Sequence, residues 1–165
     1  MTQQLQGAGG GGARRSFALG EEQRQYDHEV LDVARVVRVV KGGRRFSFRA
    51  SVVAGNRSGV VGFGLGKSRD VQTAIQKAYE KAVKNVVKTP IVDGTIPYQI
   101  MAKYGSARVM MRPAKPGTGI IAGSTVRVVA DLAGITDLVS KRLGSTNKVN
   151  TAQAAIKGLS EIVKT

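Results

Sequence analysis

Hydrophobic and polar residues alternate most regularly over residues 45–54, a pattern that predicts a β-strand with one apolar and one basic face. The apolar face carries Phe46, Phe48, Ala50, Val52 and Ala54, and the other carries Arg45, Ser47, Arg49 and Ser51. The valine-rich residues 30–40 predict the preceding strand, with a bulge or an edge position because their polar residues fall on both faces. The adjacent glycines 42 and 43 predict a hairpin turn between the two strands.

Glycine occupies alternate positions of the next predicted strand, at residues 62, 64 and 66, opposite Val61, Phe63 and Leu65. A strand face without side chains admits the close approach of another backbone, a sugar or a phosphate. The same face also suits tight packing within the protein. The pattern leaves both interpretations open.

Apolar residues recur at helical spacing over residues 71–87 and predict an amphipathic helix, with Asp70 at the capping position. Four lysines line its outer face and suit either solvent or RNA: Lys77, Lys81, Lys84 and Lys88. Thr89-Pro90 breaks the helix, and Asp93-Gly94 predicts a turn. We therefore expect three regions: a flexible Gly-rich basic arm at residues 1–26, a first domain at residues 27–90 and a second at residues 91–165.

The second half of the chain predicts three strands, at residues 95–101, 107–112 and 136–141. It also predicts two helices, at residues 120–133 and after a cap at Asn150. Arg108 and Arg112 share one face of the second of these strands, and Gly134 ends the first helix. The last helix turns six apolar residues inward: Ala154, Ala155, Ile156, Leu159, Ile162 and Val163.

The composition narrows the possible functions. The 165 residues include 26 Lys and Arg against 11 Asp and Glu, a formal net charge of +15 that attracts nucleic acid or an anionic membrane. No apolar run is long enough to span a bilayer, so we expect a cytoplasmic protein without membrane contact. With no cysteine and a single histidine, His28, we expect no disulfide, no thiolate nucleophile and no metal site.

Two glycine-rich stretches resemble nucleotide-binding loops, but each lacks residues that the corresponding motif requires. Gly66-Lys67-Ser68 matches the last three residues of the P-loop motif, but the motif also requires a glycine at position 61, where this chain has Val61. Residues 113–119 are spaced like the phosphate loop of small-metabolite kinases, but isoleucines follow where those kinases carry serines. The loop still suits an anion, since it precedes a predicted helix. The carboxylates are scattered, so we expect no catalytic residue, no cofactor, no small-molecule substrate and no enzymatic activity.

Seven short blocks of the sequence together form a family signature. In the first half they are Gly43-Arg44-x3-Phe48-x-Ala50, Val52-Val53-Ala54-Gly55-Asn56 and Gly59-x-Val61-Gly62-x-Gly64. In the second half they are Arg112-Pro113-Ala114, residues 117–123, Ala133-Gly134 and residues 144–147. These blocks closely resemble the bacterial small-subunit ribosomal protein five family from residue 27 to residue 165. The chain departs from the pattern at Tyr98 and Tyr104, where relatives often carry histidines.

The resemblance implies an α+β fold class with two subdomains. The first is similar to double-stranded-RNA-binding domains and consists of a three-stranded antiparallel sheet plus a helix. The second is a β-β-α-β-α unit with a left-handed crossover, which departs from the general right-handed rule.

The resemblance also implies the function of a structural constituent of the small ribosomal subunit. Such a protein binds the small-subunit ribosomal RNA and supports subunit assembly and decoding accuracy near the mRNA entry region. Its implied partners include the neighbouring small-subunit ribosomal proteins four and eight, and its location is the cytoplasmic ribosome. Two alternatives stay open: a free regulator that binds double-stranded RNA, and a nucleotide binder similar to the small-metabolite kinases.

Charge and resemblance together select the candidate sites. RNA contacts are predicted at Lys41, Gly42, Gly43, Arg44, Arg45, Arg49, Arg57, Gly62, Gly64 and Lys67. In this interpretation the cations bind phosphates, and the glycines permit the protein backbone to approach the RNA backbone closely. The resemblance places an interface with a protein neighbour at Gly105, Arg108 and Arg112.

Overall fold

The computed structural model of the protein describes residues 26–162. The predicted arm at residues 1–26, apart from Tyr26, lies outside the described residues, as does Val163. Within the described range the elements are β1 (Asp27–Val40), β2 (Gly43–Gly55), β3 (Val60–Ser68), α1 (Val71–Lys84), β4 (Val86–Lys88), β5 (Ile100–Tyr104), β6 (Ala107–Pro113), β7 (Ile120–Ile121), α2 (Ser124–Ala133), β8 (Leu138–Gly144) and α3 (Lys148–Ile162). The mixed α+β architecture predicted from the sequence is confirmed.

The first sheet is antiparallel, with strand order β1-β2-β3-β4. The predicted irregularity of β1 is confirmed twice, since β1 is an edge strand and its register shifts between Val30 and Asp32. The predicted helix at residues 71–87 is too long, because α1 ends at Lys84 and β4 follows it. Val87 pairs with Val61 of β3, as suits β-branched residues. The sheet therefore has four strands instead of three.

The second sheet has strand order β5-β6-β8-β7, and α2 connects the parallel strands β7 and β8. The predicted helix at residues 120–133 begins later, at Ser124, because Ile120 and Ile121 pair with β8. Its predicted end is confirmed, since Gly134 adopts φ 90° as the left-handed C-cap. The left-handedness of the crossover stays a prediction.

Three further boundaries in the second half differ from the sequence prediction. The strands predicted at residues 95–101 and 136–141 begin at Ile100 and Leu138. The cap of α3 is Asn147 rather than Asn150, because the Asn147 side chain accepts a hydrogen bond from the Val149 amide at 3.0 Å. Each boundary moves by only a few residues, so the order of the predicted elements is preserved.

The main hydrophobic core joins the two halves of the chain. Val53 and Phe63 of the first sheet lie in the same buried cluster as Val109, Leu138 and Leu159. A second cluster fills the space between the first sheet and α1, and its buried members are Ala50, Val52, Ala74 and Ala78. The inner part of β2 is therefore buried on both faces, which corrects the prediction that one face is uniformly basic. The division into domains at residues 27–90 and 91–165 stays a prediction.

Candidate nucleic-acid interface

The β1–β2 hairpin ends in an exposed basic turn. Residues 41–45 are all exposed, and they include the predicted contacts Lys41, Gly42, Gly43, Arg44 and Arg45. Gly43 adopts φ 140°, which glycine tolerates without strain. The neighbouring Val39 is 75% exposed and Phe46 is 42% exposed, so no other element covers this end of the hairpin. The structure thus presents the five predicted residues together on one projection.

Four cations lie on one face of the first sheet, here called the cationic face: Arg38, Arg45, Arg49 and Lys67. Arg38 is the cross-strand partner of Arg45, and Arg49 is the partner of Lys67. Arg45 and Arg49 are four residues apart on β2 and so point to the same side. Within residues 26–162, none of the four takes part in an ion pair. Like charges directly opposite each other destabilise a sheet, and a polyanion would relieve that repulsion.

Arg38 was missed by sequence reasoning, because its partner depends on the exact position of the turn. In the structure Lys41 and Gly42 form the turn, so Val40 pairs with Gly43 and Arg38 pairs with Arg45. A two-residue turn at the predicted glycines 42 and 43 would instead have placed Arg38 opposite Ser47.

The opposite face of the hairpin carries a stacked pair. The Arg35 guanidinium carbon lies 3.7 Å from the centroid of the Phe46 ring, a cation–π contact. Val37 and Val39 beside it are exposed. This face is therefore apolar with a cation upon it, whereas the other face is cationic.

Two of the predicted RNA contacts, Gly62 and Gly64, are corrected by the structure. Both are buried, and a Cβ atom added to them would overlap the carbonyl oxygens of Ala82 and Ala78 on α1. The absence of side chains lets the helix backbone approach the strand, so the tight-packing interpretation holds. No room is left for a sugar or phosphate at these glycines.

Arg57 is separated from the cationic face. Its guanidinium lies 3.5 Å from the carboxylate of Asp27 and 3.7 Å from that of Asp131. Asp27 pairs with Gly55, at the opposite end of the hairpin from the basic turn. Arg57 therefore links β1 to α2 through two exposed ion pairs, and its predicted phosphate contact stays a prediction.

The lysines of α1 form a separate surface. Asp70 caps this helix as predicted, since its carboxylate accepts a hydrogen bond from the Thr73 amide at 3.1 Å. The buried alanines of α1 face the sheet, and Lys77, Lys81 and Lys84 are exposed. Lys88 lies on β4 instead of the helix.

The second sheet presents the predicted protein interface on its outer face. Arg108 and Arg112 are exposed on β6. Val109 and Met111, which lie between them in sequence, point to the other face and are buried in the core. Gly105 forms the β5–β6 turn with φ 56°. Exposed apolar side chains flank the arginines on this outer face, among them Met101 and Leu143.

The loop at residues 113–119 directs backbone amides at an anionic group. Its Gly119 amide donates to Asp137 Oδ1 at 2.8 Å, and the Thr136 hydroxyl lies 2.9 Å from Oδ2. The Gly119 amide, followed by Thr136 and by the amides of Gly117 and Thr118, holds the pKa of the Asp137 carboxyl below its ordinary value. The anion that these amides bind is a carboxylate of the same chain.

The described residues were also compared with the requirements of a metal site and of a membrane span. Residues 26–162 contain no group of three or more acidic or histidine side chains placed to hold a metal ion. His28 packs against the ring of Tyr79, with a centroid distance of 5.1 Å. No helix in this range is long and apolar enough to cross a membrane.

Comparison with known proteins places these features in one family. Profiles described as "Ribosomal protein S5, N-terminal domain" and "Ribosomal protein S5, C-terminal domain" match residues 26–90 and 102–164. The small ribosomal subunit protein uS5 of Thermotoga neapolitana is 45% identical over 142 residues, which cover 86% of this chain and 80% of that protein. Those of Thermotoga petrophila and Thermotoga maritima are 43% and 42% identical over the same shares. The chain therefore belongs to the ribosomal protein S5 family.

Proposed function

We propose that the chain is a structural constituent of the small ribosomal subunit and binds small-subunit ribosomal RNA through the hairpin turn and the cationic face. The observation that carries the proposal is the cross-strand pairing of Arg38 with Arg45 and of Arg49 with Lys67. A free protein gains nothing from these repulsive pairs. A phosphate backbone neutralises them and releases its own counterions.

The spacing of the cations fits contact with several phosphates. Arg45 and Arg49 lie about 13 Å apart along β2, given the rise of an extended strand. Each therefore reaches a different phosphate group. The exposed Gly42 and Gly43 let the RNA backbone approach the turn closely, where Lys41 and Arg44 flank it. Such contacts position the protein on the RNA without reading bases.

The outer face of the second sheet is proposed as the interface with protein neighbours. Arg108 and Arg112 lie there among exposed apolar side chains, and arginine with methionine is typical of interface cores. The family resemblance supports the small-subunit proteins four and eight as these neighbours. It also supports a contribution of this region to subunit assembly and to decoding accuracy near the mRNA entry region.

Removal of the cationic face tests the RNA-binding proposal. We expect the triple variant Arg45→Gln, Arg49→Gln, Lys67→Gln to bind small-subunit ribosomal RNA more weakly. The slope of log affinity against log salt should fall by about 0.7–0.9 for each lost phosphate contact. Lys157→Gln is the matched control, because Lys157 is an exposed cation already paired with Glu161 at 3.8 Å.

Equal affinity and equal salt slope for the triple variant and the control would contradict the proposal. Sedimentation with purified small subunits separates it from the alternative of a free RNA-binding regulator. We expect the protein in the subunit fraction. Recovery only in the unbound fraction would favour the regulator.

A further inference from the structure

The turn between β2 and β3, residues 55–59, contacts the second half of the chain and is here called the interdomain turn. Its Arg57 amide donates to the Leu132 carbonyl at 2.9 Å. Its Gly59 amide donates to the Ala133 carbonyl at 2.8 Å. Both acceptors belong to the last two residues of α2, which are buried. The first sheet is therefore hydrogen-bonded to a helix of the second half.

These two hydrogen bonds complete the C-terminus of α2. The last four carbonyls of a helix have no partner within the helix. Gly134 and Ile135 donate to the first two of them, each at 2.9 Å, as is usual after a left-handed glycine. The other two carbonyls, those of Leu132 and Ala133, accept from the interdomain turn. Displacement of the turn would therefore leave half of the helix end without partners.

Two glycines permit the close approach of the turn to the helix end. A Cβ atom at Gly55 would overlap the Leu132 carbonyl oxygen. A Cβ atom at Gly134 would overlap the Arg57 carbonyl oxygen. Both overlaps are with the backbone of the other half, so no side-chain rotation relieves them. The turn and the helix end therefore fit together in one relative position.

The interdomain turn is held in shape before it meets the helix. Asn56 Oδ1 accepts hydrogen bonds from the amides of Ser58 at 2.9 Å and Val60 at 3.1 Å. Arg57 adopts φ 53°, a left-handed conformation that is uncommon for residues other than glycine. Such conformations persist where the surroundings hold them. Here the hydrogen bond to α2 and the two ion pairs of the guanidinium do so.

The common core and the interdomain turn constrain the two halves differently. Hydrophobic contacts are non-directional, so the core can be kept while the angle between the halves shifts. The hydrogen bonds of the turn are directional and are lost on such a shift. The core therefore holds the halves together, and the turn selects their orientation.

We propose that the interdomain turn is a conformational lock, which fixes the orientation of the first sheet relative to the second. When the lock is broken, the halves move about the connection between β4 and β5 while the core still joins them. The lock keeps the cationic face at one orientation to the outer face of the second sheet. It is a property of the free protein and does not depend on the proposed RNA contact.

Distance measurements between spin labels test the lock. The chain contains no cysteine, so the double variant Lys77→Cys, Lys141→Cys takes one label on α1 and one on β8, both at exposed positions. Double electron–electron resonance of the free protein should give a single narrow distance distribution. Gly134→Ala, added to this pair, should broaden the distribution or add a second distance, because its Cβ atom displaces the turn.

Gly117→Ala is the matched control for Gly134→Ala. The two glycines adopt almost the same φ, 87° and 90°, so alanine is similarly strained at both positions. At Gly117, however, the added Cβ atom meets no atom within 4 Å. The melting temperature should therefore fall by about 4–8 °C more for Gly134→Ala than for Gly117→Ala.

Equal distance distributions in the Gly134 and Gly117 variants would overturn the proposal, because the orientation would then not depend on the turn. Asn56→Ala covers the case in which Gly134→Ala does not fold. It removes the two hydrogen bonds that shape the turn and leaves the core unchanged. The labelled Asn56 variant should also show a broader distribution than the Gly117 control. A distribution as narrow as that of the labelled protein without a further substitution would refute the lock equally.

Discussion

Substitution of Gly64 by alanine tests the close packing between β3 and α1. A Cβ atom here would overlap the Ala78 carbonyl oxygen and lie 2.5 Å from the amide nitrogen of Ala82. Carbon contacts are most favourable at about 3.5–4.0 Å, so relieving the contact with the Ala82 nitrogen requires the helix to retreat by about 1 Å, and relieving the overlap with the Ala78 oxygen requires more. Gly62 and Gly66 touch the same helix at Ala82 and Ala74, and the retreat would loosen these contacts as well.

The size of the effect follows from the nature of the contact. Both groups that meet are backbone, so no change of rotamer relieves the overlap. Overpacking costs about 1–3 kcal/mol, and the upper part of this range applies. Alanine restricts the unfolded chain and offsets about 0.4–1 kcal/mol. We expect a net loss of about 2 kcal/mol, which corresponds to a melting temperature lower by about 4–8 °C.

Thermal unfolding of the free protein, followed by circular dichroism, measures this loss. Gly42→Ala is the matched control, because an alanine Cβ at position 42 would meet no atom within 4 Å. Equal melting temperatures of the Gly64 and Gly42 variants would refute the packing argument. If the Gly64 variant lost RNA affinity at unchanged stability, the interpretation of the glycine face, formed by Gly62, Gly64 and Gly66, as an RNA surface would be restored.

Three other substitutions test the remaining parts of the structure. Arg45→Glu should stabilise the free protein by about 0.2–1 kcal/mol, because an opposite charge then faces Arg38, and it should reduce RNA affinity more than Arg45→Gln does. Asp70→Ala should cost about 1 kcal/mol in urea unfolding, because α1 loses its cap. Asp137→Asn should lower stability at pH 7. Because the pKa of this carboxyl is lowered in the folded protein, the carboxylate stabilises the fold above its unfolded pKa, and this contribution is lost as the pH falls through the folded pKa. The urea midpoints of wild type and the asparagine variant should therefore differ at pH 7 and lie closer together at pH 3.

Each of these results can go the other way. A destabilised Arg45→Glu protein would show that Arg38 and Arg45 do not repel each other in the free state. An unchanged urea midpoint for Asp70→Ala would mean that tertiary contacts alone hold the first turn of α1. A constant difference between wild type and Asp137→Asn across the pH range would show that the hydrogen-bond geometry matters and the charge does not.

Local patterns were sufficient for most of the secondary structure. The hairpin turn between β1 and β2 and the Asp70 cap depend on residues that are neighbours in sequence, and both predictions are confirmed. The alternation correctly predicted that β2 is a strand, but not that its inner part is buried on both faces. Predictions failed where a distant partner competes with the local preference. Residues 86 and 87 continue the helical pattern, but pairing with β3 extends them. Residues 120 and 121 leave the predicted helix for the same reason, since β8 pairs with them.

The sequence by itself determined the basic charge, the exposed hairpin turn and the family, because charge, turn chemistry and motif spacing are properties of short stretches of the chain. Only the tertiary structure decided which candidates share a surface. Strand register placed Arg38 beside Arg45 and Arg49 beside Lys67. Packing of α1 occupied the glycine face, and Arg57 formed ion pairs with two carboxylates. These outcomes depend on residues far apart in the chain, whose contacts no local pattern contains.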